Sequence, residues 1–138
     1  MHCDPLPRPS AQVLVDAENT SPYHMDDIML ELSKLGSISI KRCYGDFAAP
    51  QQAPWKAVLL KHGIIPVQQY QYTTGKGSSD MALVIDAMDL LYTRNIDALA
   101  ICSSDSDFTR LASRLREGSK IVYGVGRRQT PQAFKVVW

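Results

Sequence analysis

Short apolar runs alternate along the chain with segments whose apolar residues recur at helical spacing. The runs typical of strands are residues 13–15, 38–44, 64–68, 99–102 and 121–124. The helical patterns are residues 22–35, 54–61, 80–93 and 105–116, and Pro131 is expected to open a last short helix that ends the chain. Strands that alternate with helices predict an α/β fold. We expect a three-layer α/β/α sandwich with a mainly parallel central sheet of about five strands.

Several residues predict where these elements begin and end. Ser21 and Pro22 are typical of a helix N-terminus, Gly36 is typical of the end of that helix, and Gly63 is typical of the end of the second helix. Pro66 lacks a backbone N–H and therefore favours an edge position or a bulge for its strand. The pattern of residues 80–93 is apolar almost all round, which predicts a deeply buried helix.

Length and composition indicate one globular domain. The chain has 138 residues, of which 45% are hydrophobic and 21% charged, so disorder is excluded as the dominant state. No apolar run approaches the ~18 residues of a membrane span. Residues 1–10 contain three prolines and no apolar segment typical of a signal peptide. We expect a mobile arm over residues 1–10 and the domain over residues 11–138.

The cysteines predict the redox environment. Cys3, Cys43 and Cys102 are an odd and sparse set, and the last two lie within apolar runs. Reduced thiols in a core fit this pattern better than disulfides do, and they predict a cytoplasmic protein.

Charge is balanced over the whole chain but not within it. The formal net charge is +1, yet residues 80–107 contain six aspartates against one arginine, and residues 108–138 contain seven bases against one acid. An acidic pocket beside a basic surface suits a metal-dependent enzyme that acts on a polyanion, although solvated faces explain any single charge.

Aspartates follow three of the expected strands. They are Asp16 after the first strand, Asp80 after the loop that leaves the third, and Asp105 and Asp107 after the fourth. Ligands of parallel sheets bind at the carboxyl ends of strands. Each aspartate alone is equally explained by a helix cap or an Asx turn. Four carboxylates that converge repel one another unless a cation neutralises them, and all-oxygen ligands favour Mg²⁺ or Mn²⁺.

Three blocks of sequence occur in order at the ends of the expected strands and helix: residues 13–19 (VLVDAEN), residues 76–86 (KGSSDMALVID) and residues 102–108 (CSSDSDF). They resemble the blocks of NYN domains, which belong to the PIN-like nuclease superfamily, and residues 120–126 resemble the strand that follows. The match is closest to the bacterial LabA-like branch. The resemblance implies a PIN-like fold and Mg²⁺- or Mn²⁺-dependent endonucleolytic cleavage of RNA, which we expect to be single-stranded.

The resemblance also implies roles for individual residues. Asp16, Asp80, Asp105 and Asp107 correspond to the acidic, metal-binding catalytic set. Asn19 would orient Asp16 or the metal-bound water, and Ser104 would position a carboxylate or a phosphate. Asp86 matches a recurrent acid of the family, but it lies about 240° round a regular helix from Asp80, so both cannot face one metal.

Basic residues near the same edge are candidates for substrate binding. Lys76 lies on a glycine-flanked loop beside the expected site, and we favour phosphate contact for Arg127 and Arg128 over a solvated loop. Related chains continue past the final helix into another strand, and some carry a separate RNA-binding module. We expect neither here, so a separate partner is a candidate source of RNA affinity. The sequence leaves homodimerisation open.

Two other functions remain open from the residues alone. Residues 16–20 (DAENT) loosely resemble the Asp-x-Asp-x-Thr loop of haloacid-dehalogenase-like phosphatases, in which Asp16 would be the covalent nucleophile. A non-catalytic RNA-binding module is the other alternative. Its acids would then be structural remnants.

Overall fold

The computed structural model describes residues 10–70, 78–93, 96–105, 108–118, 120–126 and 135–137. Six strands and four α-helices occupy them. In chain order they are β1 (Ser10–Asp16), α1 (Met25–Leu35), β2 (Ser37–Gly45), α2 (Trp55–His62), β3 (Ile65–Gln68), α3 (Ser78–Thr93), β4 (Ala98–Cys102), α4 (Thr109–Glu117), β5 (Ile121–Gly126) and β6 (Lys135–Val137). Short 3₁₀ turns at Pro22–His24 and Pro50–Gln52 precede α1 and α2.

The strands form one sheet in the order β3-β2-β1-β4-β5-β6. The first five strands of this order are parallel to their neighbours, and β6 is antiparallel to β5. Helices α1 and α2 pack on one face, and α3 and α4 pack on the other. The predicted three-layer α/β/α sandwich with a mainly parallel sheet is therefore confirmed.

Side chains of β1 point alternately into the two layers of the core. Val13 and Val15 pack against Ile28 of α1, whereas Leu14 packs in the opposite layer with Leu83 of α3. All of these side chains are at least 98% buried. Each contributes about 1.5–3 kcal/mol relative to an exposed position, so the sheet is held firmly from both sides.

The ends of the first two helices follow the predicted signals. The Ser21 hydroxyl accepts a hydrogen bond from the backbone N–H of Tyr23, which caps the turn that leads into α1. Gly63 follows α2 with φ of 64°, in the left-handed region that glycine enters without steric cost. Strand β3, which contains Pro66, lies at one edge of the sheet as predicted.

The deep burial that was expected for α3 is wrong for its outer face. Met81, Ile85 and Tyr92 are 61%, 53% and 68% exposed, while Leu83 and Ala87 are fully buried. The helix covers the sheet with one side only, and no described element packs over its other side. Its apolar composition therefore exceeds what its own core requires.

The C-terminal segment also differs from the expectation. Residues 131–134, where a final helix was expected, lie outside the described residues, but Lys135–Val137 form strand β6. Residue 135 pairs with Gly126 and residue 137 with Gly124. The expectation that the chain lacks a further strand is wrong, because this short segment satisfies the backbone groups along the open edge of β5.

The described cysteines are core residues, as predicted. Cys43 and Cys102 are both buried and unpaired. Burial raises the pKa of the Cys102 thiol to about 12, and it raises the pKa of Cys43 well above its ordinary value. Both thiols therefore stay protonated and unreactive in the folded protein.

Two expectations concern the chain as a whole. Residues 1–9 of the expected N-terminal arm lie outside the described residues, and Ser10 already belongs to β1, so the arm stays a prediction. Across the part of the chain that the structure describes, no helix has both the length and the apolar character needed to cross a membrane.

Candidate functional site

The carboxyl ends of β1 and β4 meet at the middle of the sheet. These neighbouring strands continue into helices on opposite faces, since α1 belongs to one layer and α4 to the other. The two connections diverge and leave a crevice between them, which is where open α/β sheets bind ligands. Asp16 is the last residue of β1, and the segment Ser103–Asp105 follows the last residue of β4.

Asp16 lies at the floor of this crevice with no exposed surface. Its Oδ2 accepts hydrogen bonds from Asn19 Nδ2 and from the Ser103 hydroxyl, each at 2.8 Å. Its Oδ1 accepts a third from the backbone N–H of Glu18 at 3.1 Å. A carboxylate accepts about four hydrogen bonds, so one lone pair of Oδ1 remains for another partner.

Burial dominates the electrostatics of Asp16. Removal from water raises the pKa of its carboxyl above the ordinary value of 3.8. The three hydrogen bonds oppose this shift because they stabilise the ionised form, and the negative charge of Glu18 adds slightly to it. A cation bound beside this carboxylate would therefore stabilise its ionised form and lower its pKa.

The loops after β1 and β4 are joined by further hydrogen bonds. The carbonyl oxygen of Asn19 accepts the backbone N–H of Ser104 at 3.1 Å and the Ser104 hydroxyl at 2.9 Å. Thr20 donates its hydroxyl to the carbonyl of Cys102 at 2.8 Å. These bonds hold the Asn19 amide against Asp16, and its role as an orienting residue stays a prediction.

Ser103 is a positioning residue that the sequence analysis missed. Its hydroxyl donates to Asp16 and accepts the backbone N–H of Asp105 at 3.0 Å, so one side chain connects the two acidic positions. Val15 pairs with Cys102 in the sheet, which places Asp16 opposite Ser103. Side chains alternate between the two faces of a strand. Continuing this alternation one residue past the end of β4 selects Ser103, once the register between β1 and β4 is known.

Asp105 precedes α4 and does not belong to it. Its backbone carbonyl accepts the N–H of Phe108 at 3.3 Å, and α4 begins at Thr109. Residues 106–107 lie outside the described residues, so the predicted start of this helix at residue 105 stays a prediction, and the Asp105 N–H bonds to the Ser103 hydroxyl in a turn. Phe108 is 98% buried and anchors the start of the helix.

A further tight contact shapes the crevice beside Asp16. A Cβ atom at Gly45, the last residue of β2, would lie 2.9 Å from the Cβ of Ala17. Ala17 also donates its backbone N–H to the carbonyl of Tyr44 at 2.9 Å. Only glycine at position 45 lets the residue after Asp16 lie this close to β2.

Comparison with known proteins identifies the family. The sequence pattern of the NYN domain matches residues 10–137, nearly the whole chain. The protein belongs to the NYN domain family. NYN domains are part of the PIN-like nuclease superfamily, so membership indicates nuclease activity on RNA.

A solved structure supports the fold of this NYN domain. A crystal structure of a protein of unknown function from Vibrio parahaemolyticus superposes with a TM-score of 0.67 at 18% sequence identity. The match covers 89% of this chain and 85% of the other. At that identity the likeness concerns the fold alone. A search of the curated proteins gives no match.

The remaining acids of the NYN domain are described only in part. Asp80 lies in the first turn of α3, and its side chain is outside the described part. Asp107, Lys76, Arg127 and Arg128 lie outside the described residues altogether. Among the side chains that are described, no three His, Cys, Asp or Glu residues lie close enough together to hold a metal ion. The four-carboxylate set therefore stays a prediction.

Asp86 of the NYN domain has partners on β2. Its Oδ2 accepts the hydroxyl of Tyr44 at 2.6 Å and lies 3.4 Å from Arg42 Nη1. Tyr44 has no exposed surface, and its pKa is raised well above its usual range, first by burial and then by the Asp86 carboxylate. Through this hydrogen bond, Asp86 connects α3 to the sheet.

The donor chemistry of the crevice fits a hard cation. Oxygen atoms of Asp16, Asn19, Ser103 and Ser104 surround the end of β1, and the Cys102 thiol belongs to the opposite core layer. Oxygen donors of this kind suit Mg²⁺ or Mn²⁺ better than Zn²⁺. The free lone pair of Asp16 Oδ1 is the natural ligand, and an ion that reaches it must displace the atoms that shield this carboxylate.

Proposed function

We propose that this NYN domain is a divalent-metal-dependent ribonuclease that hydrolyses phosphodiester bonds within single-stranded RNA. The observation that carries the proposal is the Asp16 carboxylate, which is fully buried, held by three hydrogen bonds and coupled to Asp105 through one serine hydroxyl. Protein interiors disfavour such a charge unless a positive partner joins it. Membership of the NYN family supports RNA as the substrate.

Mg²⁺ or Mn²⁺ would be held by Asp16 and Asp105, with Asp80 and Asp107 completing the set. When bound, such an ion lowers the pKa of a coordinated water and offsets the charge that builds on the phosphoryl group. Asn19 and Ser103 hold Asp16 in one rotamer, since both donate to the same oxygen. Their contribution is preorganisation, because no reorientation of Asp16 is needed during the reaction.

Other residues are proposed to bind the substrate backbone. Lys76, Arg127 and Arg128 are candidates for phosphate contacts beside the acidic positions. The Ser104 hydroxyl donates to the carbonyl of Asn19, and its residue is exposed, so its lone pairs face solvent and suit a contact with the RNA. Cations that face the phosphate would make substrate binding depend strongly on salt.

The phosphatase alternative is disfavoured by the residue two positions after Asp16. The haloacid-dehalogenase-like loop has a second Asp there, whereas this chain has Glu18. The NYN pattern over residues 10–137 supports the nuclease instead.

Finer aspects of the proposal rest on the sequence. We retain the LabA-like branch, a cytoplasmic location and a separate RNA-binding partner as proposals. The two buried, unpaired thiols support a reducing environment. We also retain a homodimer as a proposal.

Cleavage of a labelled single-stranded RNA tests this function. We expect cleavage with Mg²⁺ or Mn²⁺, none with excess chelator, and loss with Asp16→Asn or Asp105→Asn. Asp27→Asn, on the exposed side of α1, is the matched control and should cleave as the wild type does. Cleavage that persists in chelator would overturn the metal requirement. Salt-sensitive RNA binding without turnover in any divalent ion would favour the non-catalytic module.

A further inference from the structure

Helix α3 presents three large apolar side chains to solvent in a single row. Met81, Ile85 and Tyr92 are each more than half exposed. Their directions fall within about 40° of one another round the helix, and the row extends about 16 Å along it. We call these three residues the α3 stripe. Contiguous exposed apolar groups mark sites of association in soluble proteins.

The core beneath α3 does not account for the stripe. Leu83, Ala87 and Leu90 fill the core layer between this helix and the sheet. They lie roughly 140–180° round the helix from the α3 stripe. The stripe is therefore not part of the core of its own domain, and it is available to another molecule.

Helix α4 borders the stripe with a row of residues that carry both signs of charge. Arg110 and Glu117 are exposed, and their spacing of seven residues places them on one side of α4, about 10 Å apart. Neither takes part in an ion pair within the described part of the chain. Arg114, between them, lies over the Tyr92 ring at 5.6 Å from its centroid and donates a hydrogen bond to its hydroxyl. The row thus begins with a free positive charge, ends with a free negative one and adjoins the stripe.

The charges of this surface do not suit a polyanion. Two bases, Arg110 and Arg114, are matched by Glu117 in the same row and by Asp89 on α3. Asp89 is exposed and lies about 60° round its helix from Tyr92. Acids at these positions would repel the phosphates of a nucleic acid. The surface instead fits an occupant that carries charges of both signs.

A second copy of the chain carries both signs at the required places. A twofold axis that lies along the helical layer and perpendicular to its helices sets α3 against α3 and α4 against α4, each pair antiparallel. The start of one α4 then lies opposite the end of the other. Arg110 of each copy therefore meets Glu117 of the other copy, which gives two ion pairs of opposite charge.

One axis serves the stripe and the charged row together. Leu91 of α3 lies so close to Gly118, just past α4, that a Cβ there would be 2.7 Å from Leu91 Cδ1, so these two positions lie at the same level. The two helices run in the same direction, because each returns the chain between parallel strands. The middle of the stripe comes about 7 Å before Leu91, and the midpoint of Arg110 and Glu117 comes about 7 Å before Gly118. An axis through the first midpoint therefore also passes the second.

We propose that this NYN domain forms a twofold dimer in which the α3 stripe packs on the stripe of a second copy and Arg110 pairs with Glu117 across the interface. Asp89 lies about 160° round α3 from Leu91, on the side away from α4, and stays solvated at the rim. The dimer buries the apolar side of α3 that the single domain leaves in water. The inference goes beyond the proposed ribonuclease function and does not depend on it.

Sedimentation equilibrium of the full chain over a range of concentrations tests the dimer. The wild type should show about twice the chain mass of 15.4 kDa, and Ile85→Arg should sediment as a monomer with unchanged circular dichroism. Leu30→Arg is the matched control, because Leu30 is similarly exposed on α1 in the opposite helical layer, and it should stay dimeric. A wild type with a dimer Kd above about 1 mM, or a dimeric Ile85→Arg, would overturn the proposal.

Charge reversal tests the antiparallel arrangement and keeps the proposal testable if Ile85→Arg does not fold. Arg110→Glu and Glu117→Arg should each raise the dimer Kd about tenfold, because the twofold axis turns two attractive pairs into two repulsive ones. An equimolar mixture of the two variants should form a mixed dimer about as tight as the wild type, since both pairs are then attractive again. A mixture no tighter than either variant alone would show that these residues do not face each other.

Other occupants of the stripe give different results. If the wild type is monomeric and Ile85→Arg weakens binding of a single-stranded RNA, the stripe binds RNA and the dimer proposal is wrong. The outcome for the ribonuclease is separate. A monomer that cleaves RNA refutes the dimer alone, and a dimer that cleaves no RNA in any divalent ion refutes the ribonuclease alone.

Discussion

Ser103 donates its hydroxyl hydrogen to Oδ2 of Asp16 at 2.8 Å, although 87 residues separate them in sequence. The parallel pairing of β1 with β4 brings the two residues opposite each other at the ends of their strands. The same hydroxyl accepts the backbone N–H of Asp105. The two acidic positions of the site therefore depend on one small side chain, which is 93% buried.

Ser103→Ala should destabilise the protein by about 1–3 kcal/mol, because it leaves the buried Asp16 with one donor fewer and the Asp105 N–H without its acceptor. The pKa of Asp16 should rise further, since that bond lowers it. Urea unfolding measures the first effect and carbon-detected NMR titration the second. Ser104→Ala, at an exposed hydroxyl, should cost less than ~1 kcal/mol. Equal costs would contradict this account.

Asp86→Ala should destabilise more than Tyr44→Phe does. The first change leaves a hydroxyl with no exposed surface without an acceptor, at a cost of about 1–3 kcal/mol. The second removes that hydroxyl and leaves Asp86, which is partly exposed, beside Arg42. The double variant should recover part of the loss, which a double-mutant cycle in urea detects. A loss of metal binding in Asp86→Ala with no loss of stability would instead make Asp86 a ligand.

Metal affinity should rise with pH through the raised pKa of Asp16. Below that pKa the carboxyl is protonated, so a cation must displace the proton and its affinity falls about tenfold per pH unit. Above it the affinity should level off. Mn²⁺ titration followed by electron paramagnetic resonance, between about pH 4 and pH 8, measures the profile. A flat profile in the wild type would show that Asp16 is not a ligand.

Without metal, the stability contributed by Asp16 should fall as the pH rises. The folded pKa is raised, so the contribution is fully present below the unfolded value of about 3.8 and is lost as the pH rises through the folded pKa. The difference in unfolding free energy between the wild type and Asp16→Asn should decrease over that window. Denaturant unfolding in chelator at a series of pH values tests the sign, and an increase would refute it.

Cys43 and Cys102 should resist thiol reagents in the folded state. Both are buried, and burial raises the pKa of each thiol, so almost no thiolate is accessible. In a Cys3→Ser background, labelling should appear only under unfolding conditions. Fast labelling of the native protein would show that the core layer around β2 and β4 opens readily.

The sequence by itself determined the class of fold and most element boundaries. Apolar runs and helical spacing are local properties, and they predicted the first five strands and the caps at Ser21 and Gly63. The three blocks at residues 13–19, 76–86 and 102–108 together also sufficed to indicate the NYN family. These signals lie within short segments, where the backbone periodicity and the steric demands of single residues act directly.

Only the tertiary structure decided which serine holds Asp16, which residue Asp86 contacts and which side of α3 stays exposed. Each answer depends on pairing between segments far apart in sequence, because strand register and helix rotation set the distances between side chains. Strand β6 is a further case, since three residues become a strand by pairing with the open edge of β5. Such contacts form only when the whole sheet is assembled.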